Sequence, residues 1–178
     1  ADPTINTSMK SVGEAMSIGR SFNEALQKGV RSLEIGRYGL GFDGRDAHVE
    51  LPKDDAELRH ALVVPNDRRH FYVKIALEKG WTVDEVAQLT HIDKWFILQI
   101  KDLIDLARKV AAFRGKAGLR NIPEDFWWEV KGAGFSDVQI AFLTGTDEDA
   151  VRRTRTTRGV KPAYKLVDTC AGEFNPAR

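Results

Sequence analysis

One cysteine, Cys170, stands in 178 residues, so no internal disulfide can form and the chain suits a reducing compartment. Net charge is nearly absent: 27 basic side chains face 26 acidic ones, leaving +1. Bulk charge therefore cannot hold the chain to nucleic acid or an acidic membrane, and any such binding needs a local basic surface. No apolar run exceeds four residues, as in Trp95–Leu98, so no segment is predicted to span a bilayer. A basic-then-apolar leader is missing, which predicts no secretory signal, and position 1 is not Met, as in a piece cut from something longer. These absences predict a cytoplasmic globular chain. Histidine is sparse too: His48, His60, His70 and His91 have no His or Cys partner at metal-ligand spacing.

What is present is helical punctuation. Capping boxes, a hydroxyl followed three residues on by an acid or amide, occur at Ser21/Glu24, Thr82/Glu85, Ser136/Gln139 and Thr146/Asp149. The first opens a helix with Phe22, Leu26, Val30 and Leu33 on its apolar face, ended by Gly36. The longest helix is predicted from about Asp93 to Phe113, with Phe96, Ile100, Leu103, Ala107 and Val110 on one face and Asp105–Lys109 as an exposed pair. Between Gly36 and Pro65 lie six glycines and prolines, read as a long loop plus a short helix over 54–62. The ends, 10–20 and 163–170, have no helical period and are predicted extended.

An internal repeat organises the rest. Gly80–Thr90 aligns without gaps on Gly134–Thr144, an offset of 54, and the register extends to Tyr72/Phe126, Asp93/Asp147 and Ile97/Val151. The fold is therefore predicted all-α, with two similar lobes (about 66–115 and 120–160; repeat near 80–97 and 134–151) and extended terminal segments.

Chemistry-bearing patterns are few. Gly39-Leu-Gly41-Phe-Asp-Gly44 spells G-x-G-x-x-G, but it follows a helix and leads into non-helical sequence, so a flexible loop is expected rather than a dinucleotide site. Cys170 has no neighbouring histidine, and no catalytic set, cofactor site or metal site emerges. Six basic residues from Arg152 to Lys165 fall in fourteen positions without an acid, after a short-helix, turn, longer-helix unit. That outline admits a DNA-binding helix-turn-helix as the competing function, although a solvated helix end explains the same cations and nucleic acid is not the favoured partner. Phe126, Trp127 and Trp128 are consecutive and span about 200° of a helix, so one core cannot take all three. Packing between lobes and packing against a partner chain both satisfy them.

The two ends carry a resemblance. Met9–Arg20, Ser21–Lys28 and Arg31–Glu34, together with Pro162–Phe174, closely resemble the carbamoyl-phosphate synthase large subunit at the borders of its helical connection, or oligomerisation, domain; Ile92–Phe96 and Gly134–Asp137 resemble its interior. Gly172 stands where the family has Ala, and 37–70 matches poorly. The resemblance implies a non-catalytic scaffold over 21–162, with 1–20 belonging to a preceding ATP-grasp half and 163–178 leading to a second. It implies a parent ligase that makes carbamoyl phosphate from bicarbonate, glutamine-derived ammonia and two ATP, for arginine and pyrimidine synthesis. ATP and magnesium or manganese would bind in the flanking halves. The implied partners are those halves, a small glutaminase subunit and further copies of the chain, with no membrane.

Overall fold

A computed structural model describes residues 7–8, 14–45 and 51–166. Nine helices and no strand occur among the described residues: α1 (Phe22–Ser32), α2 (Asp55–Val63), α3 (Arg69–Glu78), α4 (Val83–Thr90), α5 (Lys94–Ala111), α6 (Gly115–Arg120), α7 (Glu124–Gly132), α8 (Asp137–Thr144) and α9 (Glu148–Thr157). The all-α expectation is met.

Helix boundaries follow capping chemistry. Thr82 and Ser136 each accept the N–H three residues on, while Glu85 and Gln139 reach back to the cap N–H, closing both boxes. Ser21 caps α1, but Glu24 reaches past it to the N–H of Arg20 at 2.7 Å. The expected box at Thr146 is corrected. Asp147 is the cap, accepting from the Ala150 N–H at 2.7 Å, because a carboxylate there also meets the positive end of α9. Thr146 instead shares a hydrogen bond with Thr144.

The repeat is reproduced bond for bond. Trp81 N–H donates to the Ala76 carbonyl and Phe135 N–H to that of Val130; Thr90 and Thr144 hydroxyls donate to the carbonyls of Val86 and Ile140. Gly80 and Gly134 make the same left-handed turn, with φ of 94° and 87°. Copy one is α3–α4–α5 and copy two is α7–α8–α9.

Both copies feed one continuous core. Val73, Val86 and Ile97 in the first, and Trp127, Ile140 and Val151 in the second, are fully buried at equivalent positions. Helix α5 packs on α3, α4, α8 and α1. Its buried face runs through Ile97, Ile100, Leu103, Ile104, Ala107 and Val110. Phe96, expected on that face, is 42% exposed, because it turns toward Phe22 at the α5 N-terminus. Asp105 pairs with Lys101 and Arg108 rather than Lys109.

The region 37–45 departs most from expectation. It is packed, not flexible: Leu40 and Phe42 are buried, and Arg37 and Asp43 form an ion pair with almost no exposure. Asp43 also accepts the N–H groups of Tyr38 and Arg45. Phe42 holds a left-handed φ of 61°, a conformation costing about 1–3 kcal/mol in a bulky residue. The glycines here make tight turns, with φ of 156°, 116° and 71° at Gly39, Gly41 and Gly44, and tight turns need not be mobile.

At the ends, 14–19 and 161–166 carry neither helix nor strand. Segment 14–19 lies along α1, where Ser17 Oγ donates to the Ala25 carbonyl and Lys28 Nζ to that of Ile18. The remainder of the expected extended ends, 10–13 and 167–170, lies outside the described residues, as do His48 and Cys170.

Candidate functional site

The helical geometry of α7 splits the aromatic triplet three ways. Trp127 is wholly buried, with its indole N–H unpartnered. Phe126 is half-buried against Phe113, ring centroids 5.7 Å apart. Trp128 is 49% exposed. The equivalent of Trp128 in copy one is Lys74, which is buried: its ammonium lies 4.5 Å above the Phe42 ring and bonds Glu78 at 2.8 Å. The loop thus roofs this position in copy one and leaves it bare in copy two.

A buried polar joint fixes the second copy. Gln139 Nε2 donates to the Gly41 carbonyl at 2.7 Å and to Gln27 Oε1 at 3.2 Å, and Gln27 Oε1 also accepts the Leu40 N–H at 2.8 Å. Both glutamines are fully buried. Arg31 donates to the Gly134 carbonyl at 2.8 Å, tying α1 to the copy-two turn. A Cβ on Gly134 would come 3.0 Å from the Glu24 Cα and 2.9 Å from the Gln27 Cβ, so this glycine allows close approach as well as the turn. Gln27 drew no notice in the sequence, and Gln139 only as the capping partner of Ser136; a neutral amide in a capping box on a strongly apolar helix was the available signal of its burial.

The basic run is largely spent within the chain. Arg155 turns inward and grips Asp137 through Nε and Nη2, each 2.9 Å from a carboxylate oxygen, and its Nη1 bonds the Val160 carbonyl. Lys131 joins from the other side, 2.9 Å from Asp137, and burial holds its ammonium below the usual lysine range while Asp137 opposes that shift. Arg152 pairs with Glu148, Arg153 lies 3.9 Å from Asp147, and Arg158 donates to the Arg120 carbonyl. Lys161 and Lys165 lie on the exposed tail, and Arg152 and Arg153 remain exposed beside their carboxylate partners. A groove reader needs its cations outward; nothing in this arrangement supports the DNA-binding alternative.

No strand precedes Gly39–Gly44 among the described residues, and the Gly39 Cα faces Gln27 and Gln139 too closely for a Cβ. His70 is mostly buried against Phe71, and burial pushes its imidazole down to about 4. His91 caps α4 in a left-handed conformation, and His60 is exposed on α2. Among the described residues no group of three or more His, Cys, Asp or Glu is arranged to hold a metal ion, and no helix is long and apolar enough to cross a membrane.

Comparison with known proteins settles what this bundle is. Residues 14–159 match the family described as the carbamoyl-phosphate synthetase large chain, oligomerisation domain. The chain belongs to that family. The carbamoyl phosphate synthase large chain of Archaeoglobus fulgidus is 45% identical over 98% of this chain, which covers 16% of that relative. The large chain, N-terminal section, of Methanopyrus kandleri is 45% identical over the same share, here 32% of the relative. The arginine-specific large chain of Arabidopsis thaliana, named chloroplastic, is 44% identical. The chain thus spans about one-sixth of the length of its full-size curated relatives. As an oligomerisation domain, it has its polar interior devoted to joining helices, with Trp128 as the open member of the aromatic triplet.

Proposed function

We propose that this oligomerisation domain is a non-catalytic spacer that fixes the separation and orientation of two synthetase halves and carries a surface for self-association. The observation that carries this reading is the anchoring of both chain segments to one shared core. The incoming segment is held on α1 through Ser17 and Lys28, the outgoing one on α9 through Arg155 and Val160, and the Gln27–Gln139–Gly41 joint locks α1 to copy two. On this reading the parent ligase makes carbamoyl phosphate from bicarbonate, ammonia and ATP, with ATP and magnesium or manganese in the flanking halves and a small glutaminase subunit supplying ammonia. Arginine and pyrimidine synthesis are its outlets, and the lone cysteine fits a cytoplasmic setting. Trp128 is the proposed self-association contact, with Phe126 and Trp127 holding it in place.

A flexible Gly-Ser insert between Val160 and Lys161 of the full-length large chain tests the spacer. ATP hydrolysis should persist while carbamoyl phosphate formed per ATP falls. Unchanged coupling would reject a spacing role.

A further inference from the structure

The incoming segment lies against the last turns of α1. Ser17 Oγ donates to the Ala25 carbonyl, Lys28 Nζ donates to that of Ile18, and a Cβ on Gly29 would come 3.0 Å from Ser17 Oγ. Met16, Ser17 and Ile18 line one open cleft together with Lys28, Arg31 and Ser32. From that end of α1, Arg31 Nη1 donates to the Gly134 carbonyl at 2.8 Å. The next carbonyl, that of Phe135, accepts from Lys131 Nζ at 2.6 Å, and Lys131 also reaches Asp137 at 2.9 Å. Arg155 completes the series. It holds Asp137 at 2.9 Å and, through Nη1, the Val160 carbonyl at 3.0 Å, where the outgoing segment begins. A continuous line of polar contacts therefore runs from entry to exit through the copy-two turn.

Charge makes one residue decide whether that line holds. Lys131 and Arg155 share Asp137 as their carboxylate partner, while Arg31 binds the carbonyls of Tyr38 and Gly134. The Asp137 side chain is 8% exposed, so its loss would leave cations uncompensated in a largely dry site. Arg155 and Arg31 both stand close enough to Lys131 to disfavour its charge, and Asp137 is what opposes them. Without that carboxylate, Lys131 either turns out to water or gives up its proton. Its grip on the Phe135 carbonyl then weakens, and with it the turn that Arg31 holds.

We propose that Asp137 is the positioning residue for both chain segments at once, setting the exit through Arg155 and the entry through Lys131, the Gly134–Phe135 turn and Arg31. The two flanking halves are then attached to one charged node and displaced together, not each on a separate anchor. Contiguous packed and hydrogen-bonded groups are the kind of network that carries such coupling. The inference rests on the spacer reading for its purpose, and it adds the side chain that ties the two attachments to each other.

Pulsed electron–electron distances from each end to a fixed reference on α5 test it. Spin labels at Ile18→Cys and Lys109→Cys report the entry, and labels at Lys161→Cys and Lys109→Cys report the exit, all with Cys170→Ser. Ile18 is 44% exposed, and Lys109 and Lys161 are exposed, so the labels leave the core intact. Asp137→Asn should cost both pairs their single narrow distance, whereas Glu148→Gln, which removes only the exposed partner of Arg152, should change neither. Broadening confined to the exit pair, or no broadening, would overturn the proposal, since Asp137 would then serve α9 alone or nothing beyond itself. Should Asp137→Asn fail to fold, Arg155→Lys, which keeps the charge and loses the two-point grip, decides by the same criterion. The spacer reading is judged separately by the Gly-Ser insert, so a failure here leaves it standing.

Discussion

The two copies share a backbone and differ in their coverage. Each runs helix, Gly-aromatic turn, capped short helix, Asp-capped helix, with hydrogen bonds at equivalent residues. Yet Glu85 caps α4 in the open, its carboxyl held below the usual range by the hydrogen bonds it accepts from the Thr82 N–H and hydroxyl. Its counterpart Gln139 is buried and carries two further bonds to α1 and the glycine loop. Lys74 is roofed by Phe42 while Trp128 is bare; Gly80 meets nothing within 4 Å while Gly134 touches α1. One local code therefore builds both units, and the added layer of α1 and the loop covers different positions in each, Lys74 in copy one and Gln139 with Gly134 in copy two.

The sharpest break of that comparison exchanges the capping residues. Gln139→Glu places a carboxylate against the Gly41 carbonyl and Gln27 Oε1, and should cost about 3–5 kcal/mol. Glu85→Gln keeps its cap in water and should leave stability nearly unchanged. Urea unfolding of both variants, showing equal losses, would mean that Gln139 is no joint.

Acid should next separate His70 from its exposed counterpart, Glu124. The His70 pKa falls from 6.5 to about 4 on folding, chiefly by burial. The unfolded chain therefore binds the proton first. Stability is full above about 6.5 and is lost as pH falls toward about 4, by up to about 3 kcal/mol. Unfolding free energy measured across that window should decline, and His70→Gln should flatten the slope; an unchanged slope would place the acid sensitivity elsewhere.

The glycines sharpen the comparison further. Gly80→Ala bears only the left-handed backbone, about 1 kcal/mol, whereas Gly134→Ala also pushes on α1 and should cost about 2–3 kcal/mol. Thermal melts that shift equally would contradict the close packing of α1. Smallest in stability is Trp128→Ala, within about 0.5 kcal/mol, with its effect appearing instead as weaker self-association in sedimentation velocity.

Much of this was legible from local rules. The caps at Ser21, Thr82 and Ser136, the repeat with its Asp93/Asp147 register, and the helix over 54–62 all appear in the fold. The misread features depend on distant partners. Nothing near Gly39–Gly44 in sequence announces Gln139, and nothing near Arg155 announces that Asp137 will turn it inward. Thr146 lost its cap to the adjacent Asp147, a choice between neighbours that the repeat register had already indicated. The aromatic triplet was legible only to the point that one helix cannot bury three consecutive rings; which ring stays open depends on the reach of the loop.

The central claim, a rigid body joining entry to exit, is tested most directly by a pulsed electron–electron distance measurement. Spin labels would sit at Ile18→Cys and Lys161→Cys, with Cys170→Ser removing the native thiol. A single narrow distance, the same in the isolated domain and in the full-length large chain and broadened by Gln139→Glu, is the predicted result. A broad distribution that narrows only when the flanking halves are present would contradict it, because the halves would then be ordering the connector.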